Sequence, residues 1–243
     1  MTVERIWGIV PAGGSGSRIA DAGIKGKDGI PKGAIGGKLP KQFIRVGGVP
    51  IIVKTLKALF KAGVLSGITV PVKEEYIGLA RELIVEFGLT DRDISFVPGG
   101  ETRQASVFNG LLDIEKMGGA EIVLIHDAAR PIIDPVVVTA AVDEARNFGA
   151  AAVGVGTTDS SVLAKDLFIE SYVPRERLFS VQTPQVFKYG LIMEGHRIAL
   201  AEGITDATDD AGLVLRMGKK VRIVPGSPDN IKVTFKGDLD RIL

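Results

Sequence analysis

Short apolar runs alternate with longer apolar stripes at helical spacing along most of the chain, and this alternation restricts the fold more than any other feature. The runs at residues 6–10, 68–72, 94–97, 122–125 and 151–155 contain no charged residue. A strand buried on both faces has this character, whereas a strand with one wet face alternates apolar and polar positions. Between the runs, Ile51, Ile52, Thr55, Leu56, Leu59 and Phe60 form one helical stripe, with Gly63 as its stop. Leu79, Leu83, Ile84 and Phe87 form a second stripe, closed by Gly88. Residues 102–117 predict a third helix with Val107, Leu111 and Ile114 inward, and residues 136–145 predict a fourth. Strands and helices in this order build an α/β fold around a mostly parallel sheet covered on both faces. Open sheets of this kind bind ligands beyond the carboxyl ends of their strands, so the residues after each strand are the first candidates.

The rhythm changes after Gly156. Residues 162–164 and 168–173, separated by Lys165-Asp166-Leu167, alternate like a two-stranded ribbon. So short a ribbon buries little surface alone, which predicts that it packs on something else, such as a second subunit. Extended structure is then expected at 181–187, helices at 190–201 and 209–217, a strand at 221–224 and a last short helix near Leu239. There is no internal repeat and no linker, so residues 1–243 read as a single domain. Residues 24–38 hold five Gly and four Lys and read as a flexible loop.

Bulk properties exclude several classes. Thirty basic against twenty-nine acidic residues leave a net charge of +1, which argues against a general nucleic-acid or membrane-surface binder. Cysteine is absent, which removes disulfides, thiolate metal sites and cysteine nucleophiles. No stretch reaches the roughly 18 apolar residues of a membrane span. The N-terminal stretch Met1–Val10 carries Glu4 and Arg5 and does not read as a signal peptide. A soluble, cytoplasmic protein is the expectation.

Five constellations carry candidate chemistry. Pro11-Ala12-Gly13-Gly14-Ser15-Gly16-Ser17-Arg18 follows the first strand. Its glycines let backbone amides approach phosphate oxygens. A dinucleotide fingerprint needs glycine at position 19, which is Ile, and a Walker loop needs Gly-Lys-Ser/Thr where Ser17-Arg18 stands. A glycine loop with one arginine remains, suited to a nucleoside triphosphate. Lys41, in Leu39-Pro40-Lys41-Gln42-Phe43, is either a point charge for that triphosphate or a solvated surface lysine. In His126-Asp127-Ala128-Ala129-Arg130-Pro131, Asp127 is placed to meet a metal–phosphate complex and Arg130 to clamp a phosphate. The alternative is an Asp–Arg pair that holds the loop. His126 and His196 lack partners at ligand spacing and read as structural. In residues 98–106, exposed amides and Ser106 suit a base edge or ribose, while Thr102 equally suits a helix cap. The fifth group is Pro174-Arg175, residues 182–185, Thr208-Asp209-Asp210 and residues 229–234, with the aspartates read as complementing a helix dipole.

Taken in order, these motifs resemble the 2-C-methyl-D-erythritol 4-phosphate cytidylyltransferases of non-mevalonate isoprenoid synthesis. The resemblance runs from Val10 to Thr234 through nine motifs, among them Pro-Lys-Gln-Phe, His-Asp-Ala-Ala-Arg-Pro, Thr-Asp-Asp-Ala and Asn-Ile-Lys-Val-Thr. It implies a Rossmann-like fold of the nucleotide-diphospho-sugar transferase type, with residues 157–175 as a protruding β-arm that dimerises. It implies that CTP and a polyol phosphate react with Mg²⁺, or another divalent cation, to release pyrophosphate. Arg18 and Lys41 would then stabilise the transition state, and Arg175 and Lys232 would grip the substrate phosphate. Asp127 would sit by the metal and the polyol phosphate, with Arg130 close by, while Ser160 and Thr208 would line the polyol pocket. Cytidine and its phosphates would be held by Pro11, Ala12, Gly13, Gly14 and Gly16 on one side. Gly100, Glu101, Arg103, Ser106 and Ala128 would hold them on the other. Two departures from the family pattern stand out: the stretch between Arg18 and Lys41 is long, and Ser160 replaces the usual Thr after Asp159. Ribitol 5-phosphate cytidylyltransferases share most of the motifs. A sugar-1-phosphate uridylyltransferase and a non-catalytic nucleotide sensor are the other readings.

Overall fold

The computed structural model describes residues 4–14 and 39–243. The loop expected at 24–38, together with Gly16 and Arg18, lies outside the described residues. In chain order the elements begin with β1 (Ile6–Ile9), the hairpin β2 (Arg45–Val46) and β3 (Val49–Pro50), and α1 (Ile51–Phe60). Then come β4 (Gly67–Val72), α2 (Ile77–Glu86), β5 (Ile94–Pro98), α3 (Arg103–Lys116) and β6 (Ile122–Ile125). Helix α4 (Pro135–Phe148) leads to β7 (Ala150–Gly156) and the ribbon β8 (Ser161–Lys165) and β9 (Phe168–Val173). The chain finishes with β10 (Phe179–Lys188), α5 (Tyr189–Ala201), α6 (Asp210–Arg216) and β11 (Arg222–Pro225).

Seven strands form one sheet in the order β11-β7-β10-β6-β1-β4-β5. β1 pairs in parallel with β4 and β6, β5 extends β4, and β11 pairs in parallel with β7. Within this sheet β10 runs antiparallel, to both β6 and β7. The mostly parallel sheet is therefore borne out, with one reversed strand inside it. Side chains leave the sheet on both faces, as strands without charged residues require. Val10, Ile68, Val70 and Val72 pack with Leu56, Leu83 and Val142 on one face. Trp7, Ile9 and Phe187 pack with Val107, Leu111 and Ile192 on the other. The Trp7 ring lies so close to Gly67 that a Cβ there would meet it at 2.4 Å, and its Nε1 donates to Thr69 Oγ1 at 2.9 Å. The indole thus satisfies its one polar group while fully buried.

Helices α3 and α4 start at side-chain caps. Thr102 Oγ1 accepts from the Ala105 amide at 3.1 Å, and Asp134 accepts from Val136 at 2.8 Å, with Pro135 in the first turn. The last short helix expected near Leu239 is instead two 3₁₀ turns, Lys236–Asp238 and Asp240–Ile242. The β2–β3 hairpin is an addition to the expected elements, although Gly47 and Gly48, at φ +61° and +79°, supply the left-handed pair of a two-residue turn. β8 and β9 form a sheet of their own and expose Leu163, Phe168, Ile169 and Tyr172. No helix among the described residues is long and apolar enough to cross a membrane.

Candidate active site

From β1 the sheet grows outward through β4 and β5, and the chain then returns to the opposite side of β1 with β6. Loops after β1 and β6 diverge at this reversal and leave a crevice, the usual ligand position of an open α/β sheet. A cavity of about 750 Å³ opens there. Among the described residues its wall consists of 11–14 after β1, 73–75 after β4, 99–103 after β5 and 127–129 after β6, with Ser106, Lys41, Gln42, Lys232 and Thr234.

Three segments distant in sequence are fastened together around the loop after β1. The Gln42 amide donates to the Ala12 carbonyl, which holds the turn Lys41–Phe43 against that loop. Lys41 Nζ donates to the Val233 carbonyl at 2.7 Å, and the Val233 amide donates to Ala129 at 2.9 Å. Lys41 therefore reaches the cavity despite the long stretch that separates it from Arg18.

The Gly99-Gly100 turn is equally determined. Ser106 Oγ accepts from the Gly100 amide at 3.0 Å and donates to the Thr102 carbonyl at 2.9 Å. A Cβ on Gly100 would lie 2.4 Å from Ala105 Cβ. The hydroxyl thus shapes the turn that forms the wall, and only glycine fits where the turn meets α3.

Asp127 is the electrostatic centre. Its Oδ2 lies 2.9 Å from Lys232 Nζ and 3.3 Å from Arg130 Nε, and its Oδ1 lies 3.4 Å from Arg103 Nε. Burial alone would raise this carboxyl, but the charges of Lys232, Arg103 and Arg130 outweigh it and hold the group far below the usual carboxylate range. Arg103 also reaches Asp210, with Nη1 2.7 Å from Oδ2. The other Asp210 oxygen lies 3.1 Å from His196 Nε2, in a ring stacked on Phe108. His126, fully enclosed, faces the Arg130 carbonyl through Nε2 at 2.9 Å and Thr183 Oγ1 through Nδ1 at 3.1 Å. A carbonyl only accepts, so the proton is assigned to Nε2 and Thr183 donates to Nδ1. Thr183 Oγ1 in turn accepts from the Asp127 amide at 3.1 Å. Burial depresses the His126 pKa from 6.5 to about 4, which leaves the ring neutral at pH 7.

The predicted residues divide clearly by position. Pro11, Ala12, Gly13, Gly14, Lys41, Gly100, Glu101, Arg103, Ser106, Asp127, Ala128 and Lys232 all line the cavity. Arg130 does not. It stands behind Asp127, with Nη1 donating to the Asn230 carbonyl at 2.6 Å, and so holds the loop. Ser160, Arg175 and Thr208 are exposed and lie outside the wall of this chain's cavity. Both histidines are buried with hydrogen-bond partners and are absent from the described cavity wall. Asp209 caps α6, accepting from Gly212 at 2.9 Å, whereas Asp210 is buried against Arg103 and His196 and not merely at a helix end. The wall also contains Lys73, Glu74 and Glu75, which the motif reading misses although they directly follow β4 and obey the strand-end rule. Among the described residues no group of three or more His, Asp or Glu side chains could cage a metal. Asp127, an ionised carboxylate on the wall, fits a Mg²⁺ that arrives with phosphates, since that ion commonly takes one or two carboxylates plus phosphate and water.

The match to known proteins extends over nearly the whole chain. The family model described as IspD, 2-C-methyl-D-erythritol 4-phosphate cytidylyltransferase, matches residues 6–242. A relative of that name from Acidobacterium capsulatum is 36% identical over 240 residues, covering 97% of this chain and 95% of its own. The crystal structure of the Thermus thermophilus protein of the same name superposes with a TM-score of 0.71 at 29% identity, covering 98% of this chain and 96% of that one. The fold is also that of 4-diphosphocytidyl-2C-methyl-D-erythritol synthase from Anaerococcus prevotii, with a TM-score of 0.81 at 24% identity over 98% and 93% of the two chains. This chain belongs to the 2-C-methyl-D-erythritol 4-phosphate cytidylyltransferase family.

Proposed function

We propose that the chain transfers the cytidylyl group of CTP to 2-C-methyl-D-erythritol 4-phosphate, in non-mevalonate isoprenoid synthesis. The observation that carries this reading is the gathering of residues 11–14 of the glycine loop, Lys41, Asp127 and Lys232 around one crevice at the sheet's carboxyl edge. An oxygen of the acceptor's phosphate forms a bond to the α-phosphorus of CTP, and the bond from that phosphorus to the β-phosphate oxygen breaks. Pyrophosphate leaves with the electron pair. A phosphate monoester has its second pKa near 6 and is largely dianionic at pH 7, so the attack requires no strong base. Bringing an anion to a polyanion is the obstacle, and positioned cations remove it.

Backbone amides of residues 13–14 suit the triphosphate. Lys41 and Arg18 meet the charge that develops around the α-phosphorus, and Lys232 holds the acceptor phosphate from its seat on Asp127. Removing one such fixed charge costs on the order of 3 kcal/mol of barrier. Asp127 is the residue that would hold Mg²⁺, which supplies neutralising charge to the triphosphate. Ser160, Thr208 and Arg175 complete the acceptor site in a homodimer, a reading supported by the apolar surface that β8 and β9 expose. The substrates, a nucleoside triphosphate and a polyol phosphate, are small water-soluble anions, which supports a cytoplasmic location.

The test is pyrophosphate release with CTP or UTP across a panel of polyol phosphates. CTP with 2-C-methyl-D-erythritol 4-phosphate should turn over fastest. Faster turnover with ribitol 5-phosphate or with UTP rejects the substrate assignment, and binding without turnover points to a sensor.

A further inference from the structure

Beneath the cavity lies a second carboxylate that the mechanism above does not use. Asp210 is 1% exposed and lies outside the cavity wall, yet three elements hold it. The Gln185 side-chain carbonyl in β10 accepts from its amide at 3.1 Å and from the Ala211 amide at 2.9 Å. His196 of α5 donates to its Oδ1, and Arg103 of α3 donates to its Oδ2. Taking such a carboxylate out of water is expensive, and a buried ion pair seldom stabilises a fold more than apolar packing of equal volume would. Stability alone is thus a poor reason for the arrangement. Its geometric consequence is specific: the Arg103 guanidinium is anchored at Nη1 so that its Nε faces Asp127 in the cavity.

We propose that Asp210 and His196 are positioning residues that act through Arg103 to orient the Asp127 carboxylate for cytidylyl transfer, an inference that rests on the function proposed above. Neither touches substrate. His196 fixes the plane of the Asp210 carboxylate, its own ring being held against Phe108 at a centroid distance of 5.9 Å. Asp210 fixes Arg103, and Arg103 fixes Asp127 from the side opposite Lys232 and Arg130.

The test is a double-mutant cycle on kcat. Asp210→Asn should lower kcat about tenfold, the scale on which outer partners of a site residue act. Its KM for CTP should stay within about twofold, because the loss falls on the transition state. In an Asp127→Asn background the same substitution should cost less than about twofold, since the group it orients is gone. His196→Phe keeps the stack on Phe108 and loses the hydrogen bond, so it should behave like Asp210→Asn. His196→Gln retains a donor and should recover most of the rate, which keeps the proposal testable if Asp210→Asn does not fold. Equal losses in both backgrounds, or a His196→Gln variant as slow as His196→Phe, overturn it. A wild-type protein that turns over CTP with no polyol phosphate instead defeats the reading of function, and is recognised before any variant is compared.

Discussion

His126 has its charge decided by its surroundings, and the consequence can be measured. Burial, opposed by its hydrogen bonds to Arg130 and Thr183, lowers its pKa from 6.5 to about 4. A histidine whose folded pKa lies below its unfolded value contributes stability that is fully present above pH 6.5 and is lost as pH falls towards 4, where the unfolded chain binds the proton and the folded chain does not. Urea unfolding of the metal-free protein, with a chelator present, should lose about 1.4 kcal/mol per pH unit through this window on account of one such group. A His126→Gln variant should show a slope shallower by that amount, and an unchanged slope would place the titration elsewhere. Residues of this site are legible in proportion to how locally their roles are written. Asp127 and Gly13 follow strands, and Lys41 and Lys232 belong to short ordered motifs. Asp210 escapes a sequence reading because an acidic pair at a helix start has an adequate local explanation, and nothing local reveals that Arg103, 107 residues away, lies 2.7 Å from it. Arg130 shows the same limit, since a loop-holding arginine and a phosphate clamp look alike until the direction of the side chain is known.

Elements carry their information in periodicity, and periodicity has no direction. β1, β4, β5, β6 and β7 are recognisable as runs without charge, and α1 as an apolar stripe bounded by Gly63. β10 is legible only as extended structure at residues 181–187, and its antiparallel direction depends on the path the chain takes through β8 and β9, which the composition of β10 does not contain. Turn geometry is more local, and Gly100 shows how much one position can hold. Gly100→Ala places a Cβ 2.4 Å from Ala105 Cβ and 2.9 Å from the Ala105 carbonyl carbon, at the first turn of α3, where neither atom is the far end of a flexible side chain. The turn must shift, which should cost about 1–3 kcal/mol in urea denaturation. CTP affinity, measured by calorimetry, should fall as well, because the displaced backbone is part of the cavity wall. Gly14→Ala is the matched control: among the described residues nothing lies within 4 Å of its added Cβ, so stability should stay within about 0.5 kcal/mol. If both substitutions destabilise equally, the crowding at Gly100 is not the cause.

On the scale of the whole molecule, the chain brings Lys41, Lys232 and Asp127 to one crevice and leaves Arg175 and Ser160 outside its wall. Arg175 stands in the 3₁₀ turn Arg175–Arg177, directly after a ribbon whose Leu163, Phe168, Ile169 and Tyr172 are exposed. A two-stranded ribbon is marginal in water, and exposed apolar groups of this size commonly mark an interface. Packing the ribbon on a second copy of the chain would cover these groups and bring Arg175 to the neighbour's crevice in an isologous dimer. Lys41→Ala and Arg175→Ala then damage different halves of one composite site. In a dimer that pairs one chain of each variant, one site receives both lesions and the other receives neither. With random pairing about half the dimers are mixed, so co-expression of two inactive variants should restore about a quarter of wild-type activity. If Arg175 serves its own chain instead, every site keeps one lesion however the chains are paired. Activity that stays at the level of the single variants, in a preparation whose mixed dimers are verified by mass, would refute the shared site, and so would a protein that remains monomeric at micromolar concentration.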